Sequence, residues 1–164
     1  MSEGLRNFLG QELLALHDDG EKLVAANLDN NLQFSDHSFL IFPFAKVYEG
    51  FLKKLFLSLG AITENQYHSD HWRVGKALNP QLETALRGEE SVYDRILNLC
   101  NDSSLPDVLW DAWKNGRNRI FHYFPGQNQS LSLEQAKAAI DLINSAMEKA
   151  LESCRIKTNG TGSD

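Results

Sequence analysis

The segment from residue 110 to residue 124 brings together basic, amide and imidazole side chains. Lys114, Arg117 and Arg119 place three of the chain's 16 Lys and Arg residues within six positions, and His122 follows them. Histidine titrates near neutral pH and can move a proton to or from a hydroxyl. A guanidinium pairs with two phosphate oxygens at once, and an amide such as Asn118 can hold the histidine tautomer or the phosphate. These residue types together suit phosphodiester chemistry that needs no metal.

The spacing of these residues predicts which of them meet on a helix. Asp111, Asn115, Asn118 and His122 form one polar stripe beside an apolar stripe, so Asn118 and His122 are neighbours one turn apart. Arg117 lies ~140° around the axis from His122. It reaches the same cleft only through its own length or from a second copy of the helix. From spacing alone, a surface or interhelical hydrogen-bonding role is the more common one for such residues.

Other elements of the chain must position this segment. In them the apolar residues recur with the spacing of an α-helix. The first predicted helix covers residues 5–16, and residues 18–20 are predicted to stop it. Further helices are predicted over 22–28, 43–60, 70–78, 81–87, 91–100 and 104–124, and a last one starts at 132. No alternating run indicates a strand. We therefore expect an all-α antiparallel helical bundle with an extra N-terminal helix and no significant sheet. The predicted organisation is an N-terminal helical extension (1–38), a helical domain (39–156) and a disordered tail (157–164).

Composition limits the classes of function. Sixteen basic against 22 acidic residues give a net charge of −6, which excludes a protein coated in positive charge but leaves room for a short basic patch. Cys100 and Cys154 are too few for a disulfide scaffold, so we predict two reduced, mostly buried thiols. The sequence shows neither a signal-peptide pattern nor an apolar run of membrane-spanning length. We expect a cytoplasmic protein with no membrane association.

Three further groups of residues are weaker candidates for chemistry. The ligand-type residues His68, Asp70 and His71 lie close together, but a capping or surface role is favoured over a metal site. The three tryptophans could stack on bases, although core or interface positions are more common for them. They are Trp72, Trp110 and Trp113. Three charged residues, Glu49, Lys53 and Lys54, are predicted on the solvated side of the 43–60 helix.

The run from Arg117 to His122 resembles the R-x4–6-H motif of HEPN domains, in which an arginine, a polar residue, apolar residues and a histidine follow in order. Two upstream segments, residues 42–55 and 73–79, resemble the HEPN domain of RNase LS-type toxins in particular. The resemblance spans residues 40–151, and the motif lies on a late helix, as it does in that family. It implies an HEPN-like helical bundle.

The same resemblance implies a metal-independent endoribonuclease that needs no cofactor. Arg117, Asn118 and His122 would be its active residues, and we expect Lys114, Arg119 and Tyr123 to contact the RNA substrate. A ribose 2′-OH would attack the adjacent phosphate and leave a cyclic phosphate or its 3′-phosphate product. Many HEPN proteins are homodimers whose two motifs form one composite cleft, and many are toxins or antiviral defence effectors with an antitoxin or regulatory partner.

One local difference from the family bears on regulation. An antitoxin-modified HEPN subgroup carries a His-x-Tyr sequence, whereas here Tyr123 directly follows His122. Control by tyrosine modification is therefore not expected. Two other functions stay open at this point. One is a non-catalytic HEPN-like module that binds RNA or a protein through the same cleft. The other is a helical adaptor whose aromatic face meets another protein.

Overall fold

The computed structural model describes residues 1–30, 33–123, 125–126 and 130–154, and within these ranges it contains helices and no strand. The α-helices are α1 (Glu3–Asp29), α2 (Phe42–Ser58), α3 (Glu64–His68), α4 (Val74–Ala77), α5 (Thr84–Glu90), α6 (Val92–Leu99), α7 (Leu105–Trp113) and α8 (Leu133–Ser153). A 3-10 turn (Ser38–Ile41) precedes α2, and a π turn (Lys114–Asn118) follows α7. The prediction of an all-α fold is confirmed. The predicted tail at 157–164 lies outside the described residues.

Helix α2 is the centre of the hydrophobic core. Pro43 lies in its first turn, where a missing N–H costs nothing, and Gly60 follows its end with a φ of 68°. Its buried face packs against α1 and α8, and the apolar residues Leu5 and Leu9 of α1 belong to the same core. The predicted helix from Pro43 is therefore confirmed, and α1 is packed into the core that α2 organises.

The predicted stop at residues 18–20 is wrong, because α1 continues to Asp29. Its only non-helical residue is Gly10, with φ 73° and ψ 174°. Gly20 is buried instead against Phe44, and a Cβ at this position would lie 2.8 Å from two carbon atoms of that ring. From its intrinsic propensity, a glycine at this position favours the end of a helix. Here the missing side chain instead allows α1 and α2 to pack closely.

The break at Gly10 is capped by a lysine from the neighbouring helix. Lys54 of α2 donates through Nζ to the carbonyl oxygens of Phe8 and Leu9, at 2.7 and 2.9 Å. Burial of the ammonium lowers the pKa of Lys54. Its neighbour Lys53 reaches the Tyr67 carbonyl at 3.4 Å. The two lysines predicted on a solvated face therefore hold other segments of the chain.

The shorter elements agree in part with the sequence. Helices α5 and α6 lie close to the two predicted short helices, and Ser132 and Gln135 form the predicted capping box at the start of α8. Of the predicted helix over 70–78 only the short α4 forms, and a helix that was not predicted, α3, precedes it and is capped by Thr63. Helix α7 starts after Ser104 as predicted. However, the Ser104 side chain bonds Asp102 and does not cap the helix.

Cys100 and Cys154 form a disulfide, so the prediction of two reduced thiols is wrong, although both residues are buried as predicted. The bridge joins the C-terminal ends of α6 and α8. The same ends are also connected by a hydrogen bond from the Asn101 N–H to the Ser153 carbonyl, at 2.9 Å. In the part of the chain that is described, no helix is both long enough and apolar enough to cross a membrane.

Candidate functional site

The segment that carries the basic residues and His122 is not one continuous α-helix. Helix α7 ends at Trp113, and the chain continues as a π turn, closed by a hydrogen bond from the Arg119 N–H to the Lys114 carbonyl at 3.0 Å. The prediction of a helix up to residue 124 is therefore wrong, and residue 124 itself lies outside the described residues. π turns are rare and occur frequently at functional sites.

Close packing against α8 accompanies this local change. Gly116 is buried in the π turn, and a Cβ there would lie 2.9 Å from Cγ1 of Ile143 and 3.5 Å from the Ala139 carbonyl oxygen. Only a residue without a side chain fits this contact without displacing Ile143. The backbone of the π turn is thus held directly against the last helix.

The chain is not a continuous helix between Arg117 and His122. The π turn ends at Asn118, and the residues from Arg119 to His122 follow as a turn and coil, so the angle expected from a continuous helix does not apply to this pair. Both line one groove of about 270 Å³, together with Phe42, Lys46 and Phe121. A single chain therefore brings the two residues to the same groove, without a second copy of the helix.

Asn118 and His122 are neighbours, as their spacing predicts. Oδ1 of Asn118 lies 3.3 Å from Nε2 of His122. Because a carboxamide oxygen only accepts hydrogen bonds, this contact places a proton on Nε2. His122 is exposed at the rim of the groove, so its imidazole is accessible to a substrate. The asparagine can therefore fix the tautomer of the histidine.

Arg117 is held from two sides. Its guanidinium carbon lies 4.7 Å from the centre of the Trp113 ring, and its Nη2 donates to Oε2 of Glu49 at 3.1 Å. The Glu49 side chain is 37 % exposed and the Arg117 side chain 32 %, so the pair is only half-buried. Glu49 was predicted on a solvated helix face. In the structure it lies beside Arg117 and forms an ion pair with it.

A second groove lies on the other side of this ion pair. It has a volume of about 360 Å³ and is lined by residues of α2, α4, α7 and the π turn. Glu49 and Arg117 line both grooves, so their ion pair forms the wall between them. Arg73 and Lys76 add two further cations, and Glu49 is the one carboxylate among the residues that line it. This charge balance favours an anionic ligand such as a phosphodiester.

A glycine allows α4 to carry these two cations close to Arg117. A Cβ at Gly75 would lie 2.5 Å from Nε1 of Trp113, so the α4 backbone rests directly on the indole. Arg73 and Lys76 flank this contact. Trp113 is buried, in agreement with its predicted core role, and it is the same ring on which Arg117 stacks.

The predicted site residues divide into two groups. The structure brings Arg117, Asn118 and His122 together around the two grooves. Lys114, Arg119 and Tyr123 are exposed and line neither groove, and Tyr123 is 85 % exposed.

The sequence did not assign six of the polar, charged or aromatic groove residues to a site: Phe42, Lys46, Glu49, Arg73, Lys76 and Phe121. The only signal came from the runs at 42–55 and 73–79, which contain all of these residues except Phe121 and entered only as parts of a family resemblance. The exposed rings of Phe42 and Phe121 meet edge to face at 5.9 Å and form an aromatic wall of the first groove.

The described residues contain no group of three or more His, Cys, Asp or Glu side chains that could hold a metal ion. The weaker candidates His68 and His71 are exposed and lie near the carboxylates of Glu64 and Asp70, at 3.6 and 3.4 Å. This arrangement agrees with the predicted surface role of both histidines.

Comparison with known proteins found no matching family model, and no curated protein or solved structure matches the chain. The first groove combines an exposed imidazole, an oriented guanidinium and Lys46 with an aromatic wall, and the second groove adds Arg73 and Lys76.

Proposed function

We propose that this chain is a metal-independent, HEPN-type endoribonuclease. The observation that carries the proposal is the groove shared by Arg117 and His122, with Asn118 on the Nε2 atom of His122. This set of residues matches the sequence resemblance to the R-x4–6-H motif. The reaction would be attack of a ribose 2′-OH on the adjacent phosphorus, with release of the 5′-oxygen and formation of a cyclic phosphate or its 3′-phosphate product.

Each groove residue has a role in this reaction. The Arg117 guanidinium has five N–H donors, so it can pair with a phosphate while it keeps its bond to Glu49. It would stabilise the charge that develops on the non-bridging oxygens. Arg73 and Lys76 would bind a neighbouring phosphate in the second groove. Phe42 and Phe121 offer exposed rings on which a base can stack.

The movement of protons favours a homodimer. The 2′-OH must lose a proton, and the leaving 5′-oxygen must gain one. His122 is the one histidine among the described residues that line the first groove, and a single imidazole cannot serve as base and acid at the same moment. A second copy facing the first would supply the other imidazole. A composite site built from two chains is therefore part of the proposal.

The biological setting follows from the resemblance. We place the protein in the cytoplasm, as a toxin or antiviral defence effector with an antitoxin or regulatory protein as a possible partner. Cytosolic thiols keep most disulfides reduced, so an enzyme in that compartment would have to stay active when the bridge between Cys100 and Cys154 is reduced. Cleavage is therefore expected both with and without dithiothreitol.

The test is cleavage of a mixed-sequence RNA in the presence of EDTA. His122→Ala should lower the cleavage rate by roughly 10²–10⁴-fold, which is the usual contribution of a positioned acid or base. His68→Ala is the matched control, since His68 is also an exposed histidine but lies on α3 outside both grooves. Circular dichroism would show that both variants fold. Equal cleavage by His122→Ala and the wild type would refute the proposal.

A second candidate function is a non-catalytic HEPN-like module that binds RNA, or a protein, through the same grooves. The second groove favours it, because three cations line a surface that contains no histidine. This function predicts binding that weakens with salt and is lost in Arg117→Ala, with no cleavage under any condition. RNA cleavage that depends on His122 would exclude it.

A further inference from the structure

A recess of about 200 Å³ lies beside the second groove and is lined by residues of α3, of the loop after it and of α4. Arg73 and Lys76 line both the recess and the second groove, so the two open on either side of these cations. The other lining residues are Gln66, His71, Trp72 and Ala77. The proposed reaction takes place in the first groove and gives this recess no role.

The charge of the recess favours an anionic ligand. Its described lining residues include two cations, Arg73 and Lys76, and no carboxylate. The carboxylate of Asp70 lies 3.4 Å from Nε2 of His71, but its side chain is 90 % exposed and does not line the recess. Together with the second groove, the recess therefore forms a continuous surface on which a chain of phosphates is attracted.

The loop that carries Trp72 into the recess is held by hydrogen bonds. Lys53 of α2 donates through Nζ to the Ser69 carbonyl oxygen at 3.4 Å. Oγ of Ser69 accepts from the N–H groups of His71 and Trp72, at 3.1 and 3.2 Å. The backbone of the loop is thus fixed from α2 and from within, so the recess is formed before a ligand arrives.

An aromatic ring and an amide complete the lining. Trp72 is half-buried, and its ring meets the buried ring of Phe56 edge to face at 6.3 Å, so the indole is packed on the core and also lines the recess. Oε1 of Gln66 accepts from the Thr63 N–H at 2.8 Å, and the amide N–H donors of Gln66 take no part in that bond. Indole surface beside hydrogen-bond donors and cations suits a nucleotide, with its planar base, its ring and carbonyl acceptors and its phosphate.

We propose that the recess binds one unpaired base of an RNA strand, the base of the nucleotide whose phosphate lies between Arg73 and Lys76. The inference rests on the proposed function, which brings the strand through the first and second grooves. An aromatic side chain accepts any base because every base has a π-face, so the recess selects an unpaired strand and not a sequence. A base in a duplex is paired and stacked and does not turn into the recess.

Binding of a 2′-O-methyl RNA oligonucleotide to the full chain tests the inference without cleavage, since this probe lacks the attacking 2′-OH. Fluorescence anisotropy compares a single-stranded probe of about six nucleotides with versions that lack the base at one position at a time. In the wild type, loss of the base that enters the recess should weaken binding roughly fivefold or more, the usual contribution of a stacked base. In Trp72→Leu the intact probe should bind more weakly, and the penalty at that position should disappear. The same probe annealed to its complement should bind the wild type more weakly than the single strand.

Two matched comparisons make the test specific for the recess. Tyr67→Leu removes a half-buried aromatic residue of α3 that does not line the recess, and it should keep the wild-type pattern of penalties. Should Trp72→Leu fail to fold, His71→Glu places a carboxylate at an exposed position of the recess and should weaken binding of the intact probe roughly fivefold. His68→Glu changes the net charge by the same amount outside the recess and should have a smaller effect.

The outcomes separate this inference from the proposed function. Binding that is lost in Arg117→Ala, with the same base penalties in Trp72→Leu and the wild type, would overturn the inference and leave the ribonuclease proposal in place. Equal binding by His71→Glu and His68→Glu would also overturn it, as would failure of the wild type to bind the probe. A base penalty that depends on Trp72, in a protein that cleaves no RNA, would support the recess and contradict the ribonuclease proposal.

Discussion

Arg117 is positioned by an aromatic ring on one side and by a carboxylate on the other. Ion pairs that are partly exposed to solvent contribute about 0–1 kcal/mol to stability, so the bond to Glu49 does little to hold the fold. What the pair does is orient a guanidinium at the wall of two grooves. Glu49 also places a negative charge where the proposed phosphate would bind, and it therefore opposes RNA binding.

Replacement of Glu49 should consequently strengthen RNA binding. We expect Glu49→Gln to lower the dissociation constant for a short single-stranded RNA, since one repulsive charge is removed. The unfolding free energy should change by no more than about 1 kcal/mol. Fluorescence anisotropy at several salt concentrations measures the binding. Glu12→Gln, which removes an exposed carboxylate of α1, is the control. Weaker binding by Glu49→Gln would contradict the prediction, because it would show that the orientation of Arg117 by the carboxylate outweighs the repulsion of a phosphate.

Asp36 connects the 3-10 turn to the segment before α8. Burial alone raises its pKa, but hydrogen bonds from the Leu131 N–H and from the hydroxyl and N–H of Ser38 outweigh this effect. The net result is a pKa below the ordinary value of 3.8. A carboxyl with a lowered pKa contributes stability above its unfolded pKa and loses it as the pH falls through the folded one.

We therefore expect acid to destabilise the wild type more than Asp36→Asn. Between pH 5 and pH 3, a range of about one unit on each side of the unfolded pKa, the unfolding free energy of the wild type should fall more steeply. Urea denaturation at several pH values measures this difference. Asp141→Asn, at an exposed position of α8, should follow the wild-type curve. Parallel curves for Asp36→Asn and the wild type would contradict the assigned role.

At the scale of elements, two glycines bring the site together. Gly75 lets the backbone of α4 touch Trp113, and Gly116 lets the π turn touch Ile143. The first contact places Arg73 and Lys76 beside Arg117, and the second holds the π turn that carries Arg117 and Asn118. The geometry of the grooves thus depends on two positions that carry no functional group of their own.

Gly75→Ala should disturb both stability and the second groove. The added methyl group would meet a buried indole, so we expect a loss of about 1–3 kcal/mol in unfolding free energy. Gly88→Ala is the matched control, because Gly88 lies in α5 with no atom within 4 Å of the added Cβ. That variant should be stabilised by about 0.5–1 kcal/mol, the usual gain from alanine in a helix. Urea denaturation of both variants decides between these outcomes, and equal effects would contradict the packing argument.

At the scale of the whole molecule, the disulfide connects helices that are far apart in sequence. The bridged cysteines are separated by 54 residues, and closing a loop of that length restricts the unfolded chain substantially. The stabilisation from a disulfide is typically about 2–4 kcal/mol. The bridge therefore accounts for a large part of the stability expected for a single domain of this size.

Reduction of the bridge should lower the unfolding free energy by about 2–4 kcal/mol. Urea denaturation with and without dithiothreitol measures the effect. The double variant Cys100→Ser and Cys154→Ser should resemble the reduced wild type, and dithiothreitol should not change it further. A wild-type protein whose stability does not respond to the reductant would show that the thiols are not paired in solution.

Local patterns predicted the all-helical fold, the start of α2 at Pro43 and the start of α8 at Ser132, because these depend on neighbours in sequence. Features that depend on contacts between distant segments were not predictable. The sequence indicates a helix stop at Gly20, because its contact with Phe44 of another helix cannot be recognised from neighbouring residues. The partner of Arg117 is a carboxylate 68 positions away. The π turn depends on the contact of Gly116 with Ile143, and the disulfide on the meeting of two helix ends.

The ion-pair wall between the two grooves has a consequence for the length of a substrate. A dinucleotide has a single phosphodiester. If that phosphodiester lies beside His122, no phosphate is left to occupy the second groove, called the basic groove below because Arg73 and Lys76 line it. A longer strand can cross the wall, with the scissile phosphate over Arg117 and a flanking phosphate between Arg73 and Lys76. Under the proposed function, each added nucleotide on that side would improve catalytic efficiency until the basic groove is filled. The preferred substrate would then be an unpaired strand several nucleotides long.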